Sequence, residues 1–194
     1  APIFGAHNMM NILCAIKICH ILGVDWHTML KSAVSQIKAP AGRIEFIDES
    51  EELGFRVIVD YAFEPVAIEK LYEVVEKIQP KRVIHVFGST GGGRDVSRRF
   101  TVGEYVGHHA DACIVTDEDP YDDDPMQIIE DVASAVEKTG KKLGTNLFKI
   151  LSRSEAIQKA IDLAQPGDLV LVTGKGSEQK MVVKGKMIPW DDRE

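Results

Sequence analysis

The chain has 194 residues, 44% of them hydrophobic and 27% charged, which is typical of a globular protein with room for one full domain and part of another. Its net charge of -7 argues against nucleic-acid binding, because phosphate contacts need a basic surface. No apolar run approaches the roughly 20 residues of a membrane span, and no export signal opens the sequence, so membrane insertion is not expected. The three cysteines follow no metal-ligand spacing, which predicts buried thiols in a reducing cytoplasm.

The first 40 residues are predicted to be helical. Apolar residues at helical spacing favour a helix over 7–22, closed by Gly23. Asp25 is predicted to cap a second helix over 26–37, which "KAPAG" ends. The segment "RIEFID" then follows as a short strand or linker.

After residue 52, apolar strands alternate with helices. The strands are "FRVIVDY", "RVIHVFG", "ACIVTDE" and "DLVLVTGKG", and helical patterns occupy 66–78, 99–109, 125–138 and 154–164. This alternation predicts an α/β fold with a Rossmann-like, mostly parallel sheet and helices on both faces. "NLFKIL" is expected to add a strand, and "KMVVKGKMIPW" a terminal hairpin.

Polar or glycine-rich turns follow four of the predicted strands. They are Asp60-Tyr61, "GSTGGGRD", "TDEDPY" and "TGKGSE". Ligands of parallel α/β sheets bind at the carboxyl ends of the strands, where these four turns meet. The sequence therefore predicts a binding site at this edge of the sheet.

The stretch "GSTGGGRDVSRR" has the layout of a phosphate-binding loop, but it lacks both the Gly-Lys-Ser/Thr ending and the G-x-G-x-x-G spacing. It offers instead backbone N–H groups and the guanidinium groups of Arg94, Arg98 and Arg99, which suit a carboxylate or a phosphate. The alternative is a tight strand-to-helix turn with solvated arginines.

The stretch "TDEDPYDDDP" places six acidic residues around Tyr121. It lacks the glycine and the distant glutamate of a calcium loop, so the residues alone favour a solvated, helix-capping acidic loop over a metal site. "GKGSE" can seat an anion on its backbone, with Glu178 available for an ammonium group. In "GAHNMMN", Asn8 and Asn11 are one helical turn apart and suit either the edge of a base or a helix cap.

Taken in order, several stretches resemble the C-terminal half of a Mur ligase, in the branch that adds the third residue of the peptidoglycan stem peptide. They are "GAHNMMNILCAI", "APAGRIE", "VIVDYAFEP", "FGSTGGGRDVSRR", "VTDEDPYDDDP" and "LVTGKGSEQ", followed by "DDRE". The resemblance implies that residues 1–42 end the central ATP-binding domain and that 43–194 form the C-terminal Rossmann-like domain. It also implies that the nucleotide loop and the Mg²⁺ ligands lie upstream of Ala1, so we expect the chain alone neither to hydrolyse ATP nor to form an amide.

The activity that the resemblance implies is a ligase dependent on ATP and Mg²⁺, which joins a free diamino acid to UDP-MurNAc-L-Ala-D-Glu through an acyl phosphate. The residues it assigns to ATP are His7, Asn8, Asn11, Arg43 and Asp60. Those it assigns to the incoming amino acid are Arg94, Glu118, Asp119, Pro120, Tyr121, Gly174 and Glu178. Within the amino-acid set, Arg94 is expected to bind a carboxylate, and Gly174 and Glu178 the far amino group. No catalytic residue and no metal ligand is assigned within the chain.

The sequence departs from the family pattern at several positions. Phe63 and Glu64 replace a histidine and a threonine, and "GKGHE" has become "GKGSE". Tyr121 stands where diaminopimelate-adding enzymes carry an arginine that pairs with the distal carboxylate. If the acids around Tyr121 line the pocket, they repel such a carboxylate and attract a lone ammonium, which favours lysine or ornithine. Diaminopimelate stays open, since Arg98 or Arg99 can supply the missing guanidinium.

Two other interpretations remain. One is a related ATP-dependent ligase, such as a cyanophycin or folylpolyglutamate synthetase. The other is a non-catalytic module that binds an amino acid or a nucleotide. A Gly-Lys-Thr/Ser loop in the reading frame upstream of Ala1 distinguishes a ligase from a module.

Overall fold

The computed structural model of the chain describes residues 5–28, 31 and 36–194. The chain divides into two compact units, Ala1–Pro40 and Ala41–Glu194. Within the described residues, no helix is both long enough and apolar enough to cross a membrane.

The described part of the first unit is helical. Helix α1 spans Ala6–Ile21, and Gly23 follows it with a positive φ of 89°. Helix α2 is described over Trp26–Thr28, and the rest of the helix predicted over 26–37 lies largely outside the described residues. The prediction of buried thiols is wrong for Cys14, which is exposed, and Cys19 is half-buried. The physical reason is that apolar residues surround much of α1 instead of forming one stripe, so several are exposed.

The second unit is the predicted α/β fold. Its strands are β1 (Glu45–Phe46), β2 (Arg56–Asp60), β3 (Val83–Phe87), β4 (Ala112–Thr116), β5 (Leu147–Ile150) and β6 (Leu169–Thr173). Its helices are α3 (Pro65–Ile78), α4 (Ser97–His109), α5 (Pro125–Lys138) and α6 (Arg153–Leu163). These bounds agree with the predicted helices to within two residues, whereas the 3₁₀ helix over Asp48–Leu53 was not predicted.

The six strands form one sheet in the order β1-β2-β6-β3-β4-β5. All neighbouring pairs are parallel except β1 with β2, which confirms the prediction of a mostly parallel sheet. The predicted terminal hairpin is also present, as the antiparallel strands β7 (Lys180–Val183) and β8 (Lys186–Pro189).

Two hydrophobic clusters cover the two faces of the sheet. Leu169 and Leu171 of β6 belong to the cluster that α3, α4 and α5 complete, whereas Val170 and Val172 belong to the cluster that α6 completes. This alternation follows from the period of two along a strand, and both faces are apolar because helices cover both. Helices on both faces of the sheet were predicted, and this is confirmed. Because β2, β3, β4 and β6 are parallel, their carboxyl ends lie at the same edge of the sheet.

A buried polar contact fixes the end of β6 within this core. His85 on β3 is fully buried, with Nδ1 3.0 Å from the Tyr72 hydroxyl and Nε2 2.9 Å from Thr173 Oγ1. Burial lowers the pKa of His85 to about 3, so the imidazole is neutral. A neutral ring has one donor and one acceptor, and both nitrogens have a partner here.

Candidate functional site

A cavity of about 180 Å³ lies at the carboxyl edge of the sheet, and we call it the edge cavity. Six of the seven residues assigned by resemblance to the amino acid line it: Arg94, Glu118, Asp119, Tyr121, Gly174 and Glu178. The other lining residues are Tyr61, Phe63, Glu64, Thr90 and Arg98. Pro120, the seventh, is buried in the same loop but does not line the cavity. Loops that follow β2, β3, β4 and β6 thus meet at one place.

The glycines after β3 allow two of these loops to touch. The Gly91 N–H donates to the Asp119 carbonyl at 2.8 Å, and a Cβ on Gly91 would overlap the Pro120 carbonyl. Gly92 has a φ of 65°, and a Cβ there would lie 2.7 Å from Cγ of Tyr121. The glycine run therefore provides room for the acidic loop, because any larger side chain would displace it.

The three arginines of this segment have different surroundings. Arg98 pairs with Glu64, and its guanidinium carbon lies 5.5 Å from the centre of the Phe63 ring. Arg99 pairs with Asp131 on α5 at 2.9 Å. Arg94 is exposed at the cavity, and its guanidinium has no hydrogen bond or ion pair with any described residue. Arg94 is thus the arginine available to an anion.

Only two of the six acids around Tyr121 line the edge cavity, namely Glu118 and Asp119. Asp123 lies 3.5 Å from Arg99, and Asp124 caps α5 by accepting the Met126 N–H at 2.9 Å. The helix-capping interpretation is therefore correct for the second half of the loop. In the first half, Glu118 and Asp119 are buried and line the cavity.

Glu118 is a buried carboxyl with one free oxygen. It is 3% exposed, and its Oε2 has no hydrogen-bond partner among the described residues. Burial raises its pKa to about 7, against the opposing effect of nearby cations. A Cβ on Gly174, whose φ is 107°, would overlap Oε2, so glycine is required beside this carboxyl. Burial also raises the pKa of the preceding Asp117 to about 6.

Lys175 is a member of the site that the sequence analysis did not assign. Its side chain is 1% exposed, and its Nζ lies 2.8 Å from Asp119 Oδ2 and 2.6 Å from Glu178 Oε2. Glu178 also accepts the Tyr61 hydroxyl at 2.7 Å. Burial opposes ionisation of Glu178, but the hydrogen bonds from Lys175 and Tyr61 hold its pKa below the usual value. The carboxylate predicted to bind an ammonium therefore already has a cationic partner, and the available signal was the lysine between two glycines in "TGKGSE".

Strand β7 and the turn that follows it position Tyr121. Its N–H donates to the Val182 carbonyl at 3.2 Å, and its carbonyl accepts the Lys184 N–H at 2.7 Å. Asp119 Oδ1 accepts the Val182 N–H at 2.7 Å. These bonds hold Tyr121 at a φ of 54°, a left-handed conformation that is uncommon outside glycine.

Arg153 and Asp192 form a second buried pair that the sequence analysis left unassigned. Arg153 Nε lies 2.6 Å from Asp192 Oδ1, and Nη2 lies 2.7 Å from Oδ2. The same guanidinium donates to the carbonyls of Asp117 and Thr173. Only the "DDRE" stretch hinted at it in the sequence.

The residues predicted to bind ATP fall in both units. In the second unit, the exposed Arg43 lies over the Tyr61 ring with 4.3 Å between guanidinium carbon and ring centre. Asp60 accepts the N–H groups of Ile44 and Ala62 at 2.7 and 2.8 Å, so its carboxylate also holds the local backbone. In the first unit, Asn8 and Asn11 lie on α1, and the side chain of His7 is outside the described part of the structure. Within the described ranges, no group of three His, Cys, Asp or Glu residues could hold a metal ion.

Comparison with known proteins identifies the family to which this chain belongs. The model of the Mur ligase, glutamate ligase domain, matches residues 42–176. UDP-N-acetylmuramyl-tripeptide synthetase of a Roseiflexus species is 38% identical over 97% of this chain and 36% of its own length. UDP-N-acetylmuramoyl-L-alanyl-D-glutamate–2,6-diaminopimelate ligase of Syntrophomonas wolfei is 36% identical over 98% of this chain and 38% of its own length. The chain thus spans just over a third of these curated relatives.

Solved structures agree with this assignment. A UDP-N-acetylmuramoyl-L-alanyl-D-glutamate–2,6-diaminopimelate ligase aligns over 99% of this chain and 38% of its own, with 29% identity and a TM-score of 0.68. Folylpolyglutamate synthase of Mycobacterium tuberculosis aligns over 89% of this chain and 38% of its own, with 18% identity and a TM-score of 0.67, which shows a common fold. From the family match and the identity to its relatives, we conclude that this chain belongs to the Mur ligase family and contains its glutamate ligase domain.

Proposed function

We propose that this chain is the amino-acid-binding part of an ATP-dependent ligase that adds a diamino acid to UDP-MurNAc-L-Ala-D-Glu in peptidoglycan synthesis. The family and the names of its relatives support this activity. The observation that carries the proposal is the edge cavity, where six residues assigned to the amino acid from three separate stretches of sequence come together.

The charges of the edge cavity suit an amino acid whose side chain carries a second ammonium group. Arg98 is paired with Glu64, and Lys175 is paired with Asp119 and Glu178. These pairs leave one cation, Arg94, and one buried carboxyl, Glu118, without a partner among the described residues. A guanidinium fork binds a carboxylate through two parallel hydrogen bonds, and an ionised Glu118 accepts from an ammonium.

The same charges favour lysine or ornithine over diaminopimelate. A second carboxylate needs its own cation when water is excluded. With Arg94 bound to the first carboxylate, the described lining residues offer only Arg98, which Glu64 already neutralises. Arg99 is held at α5 by Asp131, so it is not available as a replacement. The neutral phenol of Tyr121 adds no cation.

We assign the nucleotide to Arg43 and Asp60 together with His7, Asn8 and Asn11. The exposed guanidinium of Arg43 suits a phosphate, and each Asp60 oxygen retains an acceptor site beside its backbone bond. In the proposed reaction, ATP phosphorylates the carboxylate of the UDP-MurNAc-dipeptide, and the amine of the amino acid then displaces phosphate. We propose that the whole ligase uses ATP together with Mg²⁺.

We also assign residues 1–42 to the end of the central ATP-binding domain and 43–194 to the C-terminal domain. The division into compact units between Pro40 and Ala41 supports this boundary. The family match that begins at residue 42 supports it as well.

The test is a binding measurement on the 194-residue chain by NMR titration with L-lysine, L-ornithine, meso-diaminopimelate and L-glutamate. We expect lysine and ornithine to bind about tenfold more tightly than diaminopimelate, which corresponds to roughly 1.4 kcal/mol. Arg94→Ala should weaken lysine binding at least about tenfold, because the carboxylate loses a charge-assisted bidentate contact. Arg56→Ala is the matched control, since Arg56 is exposed at the opposite end of β2.

Several outcomes contradict the proposal. Tighter binding of diaminopimelate contradicts the choice of side chain. Preferential binding of L-glutamate favours a folylpolyglutamate type of ligase. Absence of saturable binding, or equal effects of Arg94→Ala and Arg56→Ala, contradicts the assignment of the edge cavity to an amino acid.

A further inference from the structure

The pair between Arg153 and Asp192 is shielded from water and contacts the backbone just before two lining residues of the edge cavity. The two side chains are 1% and 0% exposed. Both carboxylate oxygens contact the guanidinium, at 2.6 and 2.7 Å. The Trp190 indole N–H also donates to Asp192 Oδ1, at 2.7 Å, so the carboxylate has a second donor that orients it.

The same guanidinium connects two loops of the edge cavity. Arg153 Nη2 donates to the Thr173 carbonyl at 2.8 Å, and Nη1 donates to the Asp117 carbonyl at 3.3 Å. Thr173 is followed by Gly174, and Asp117 by Glu118, the two residues that meet at the free Oε2. One rigid, planar cation thus holds the backbone on both sides of that contact.

Stability is a poor explanation for a charge pair in this position. Removing two ions from water is costly, and replacing such a pair by apolar residues is often neutral or stabilising. Here the guanidinium also donates hydrogen bonds to the carbonyls of Asp117 and Thr173. An apolar side chain would leave both carbonyls without this donor. The arrangement therefore favours a role in fixing the geometry of the loops.

Asp192 and Arg153 both act on the charge of Glu118, in opposite directions. The charged and titratable groups that act on Glu118 are Arg153 from α6, Lys175 after β6, Asp192, Asp119 in its own loop and Tyr61 after β2. Asp192 balances the charge of Arg153 through direct contact. If Asp192 were removed, Arg153 would be a buried cation with no counterion, close to the carboxyl of Glu118.

We propose that Asp192 is a positioning residue of the edge cavity, which acts through Arg153 to hold the backbone at Glu118 and Gly174 and to keep Arg153 from neutralising Glu118. This inference rests on the proposed function only for the identity of the ligand. The titration of Glu118 can be measured with no ligand bound.

The test compares Asp192→Asn with the unmodified chain in two measurements. The first is the titration of the Glu118 carboxyl followed by ¹³C NMR, in which we expect a lower pKa than in the unmodified chain, because the anion gains an uncompensated cation. The second is the affinity for L-lysine at pH 8, where Glu118 is ionised in both proteins. We expect a loss of about tenfold or more, since the loops are no longer held and Arg153 repels the ammonium.

Asp191→Asn is the matched control. Asp191 belongs to the same segment and also binds an arginine, Arg193, but it has no described contact with Arg153. Both measurements should stay unchanged in this variant. A folded Asp192→Asn with the Glu118 titration and lysine affinity of the unmodified chain overturns the proposal, as does an equal change in Asp191→Asn.

Trp190→Phe keeps the test decisive if Asp192→Asn does not fold. It removes only the indole donor to Asp192, and we expect a smaller loss of lysine affinity at pH 8. Unchanged affinity in folded Trp190→Phe then overturns the proposal. If the unmodified chain binds no lysine, the proposed function fails, and the Glu118 titration alone decides whether Asp192 positions the cavity.

Discussion

Glu118 combines burial, a free oxygen and a titration near neutral pH. Its pKa of about 7 lies above its ordinary value of 4.5 because burial disfavours the anion. The folded chain therefore binds this proton more tightly than the unfolded chain does. Its stability falls as pH rises between these two values, by roughly 3 kcal/mol in total.

We predict that Glu118→Gln removes this part of the pH dependence, because an amide of the same shape does not ionise. The measurement is the free energy of unfolding by urea at pH 4.5 and pH 7.5 for both proteins. Asp117, whose pKa is also raised, contributes in the same direction to both and cancels in the comparison. An equal fall of stability with pH in the two proteins would contradict the assignment of the raised pKa to Glu118.

At the scale of single residues, the sequence predicted groups that face the edge cavity and missed those that hold them. Arg94 and Glu118 follow directly from motifs at strand ends, and both line the cavity. Lys175 and Arg153 find their partners 56 and 39 residues away along the chain. The pairing of buried charges depends on tertiary packing, which a local pattern does not encode.

At the scale of elements, α5 begins where the sequence analysis predicted, and its cap explains why. Asp124 accepts the Met126 N–H, and Pro125 occupies the first turn, where its missing N–H costs nothing. Strands were predictable for a related reason, since β2, β3, β4 and β6 are buried on both faces and read as continuous apolar runs. The short β1 lies within the stretch predicted as a short strand or linker, whereas the 3₁₀ helix after it carries no such period and was not predicted.

We predict that Asp124→Ala lowers the free energy of unfolding by about 1 kcal/mol, the usual value of an N-cap. Asp122→Ala is the matched control, since Asp122 is exposed and has no hydrogen bond or ion pair with a described residue. Urea denaturation of both variants measures the difference. Similar losses in the two would show that the cap contact does not stabilise α5.

At the scale of the whole molecule, the second unit contains a complete core. The buried members of both hydrophobic clusters lie between Ile44 and Val172, within Ala41–Glu194. We predict that a polypeptide of residues 41–194 unfolds in one cooperative transition, with a urea midpoint close to that of the full chain. A broad transition, or loss of the native NMR spectrum, would show that residues 1–40 are needed for this core.

The position of β6 in the sheet has a consequence for biosynthesis. β6 lies between β2 and β3, although it is the last of the six strands in the chain. Until the ribosome has released residues 169–173, β1–β2 and β3–β4–β5 are two separate pieces, and β2 and β3 each present an unpaired edge. Open strand edges on a nascent chain are sites of aggregation, and pairing across more than a hundred residues is slow. We therefore expect the nascent protein to be most prone to aggregation before translation has passed its central strand.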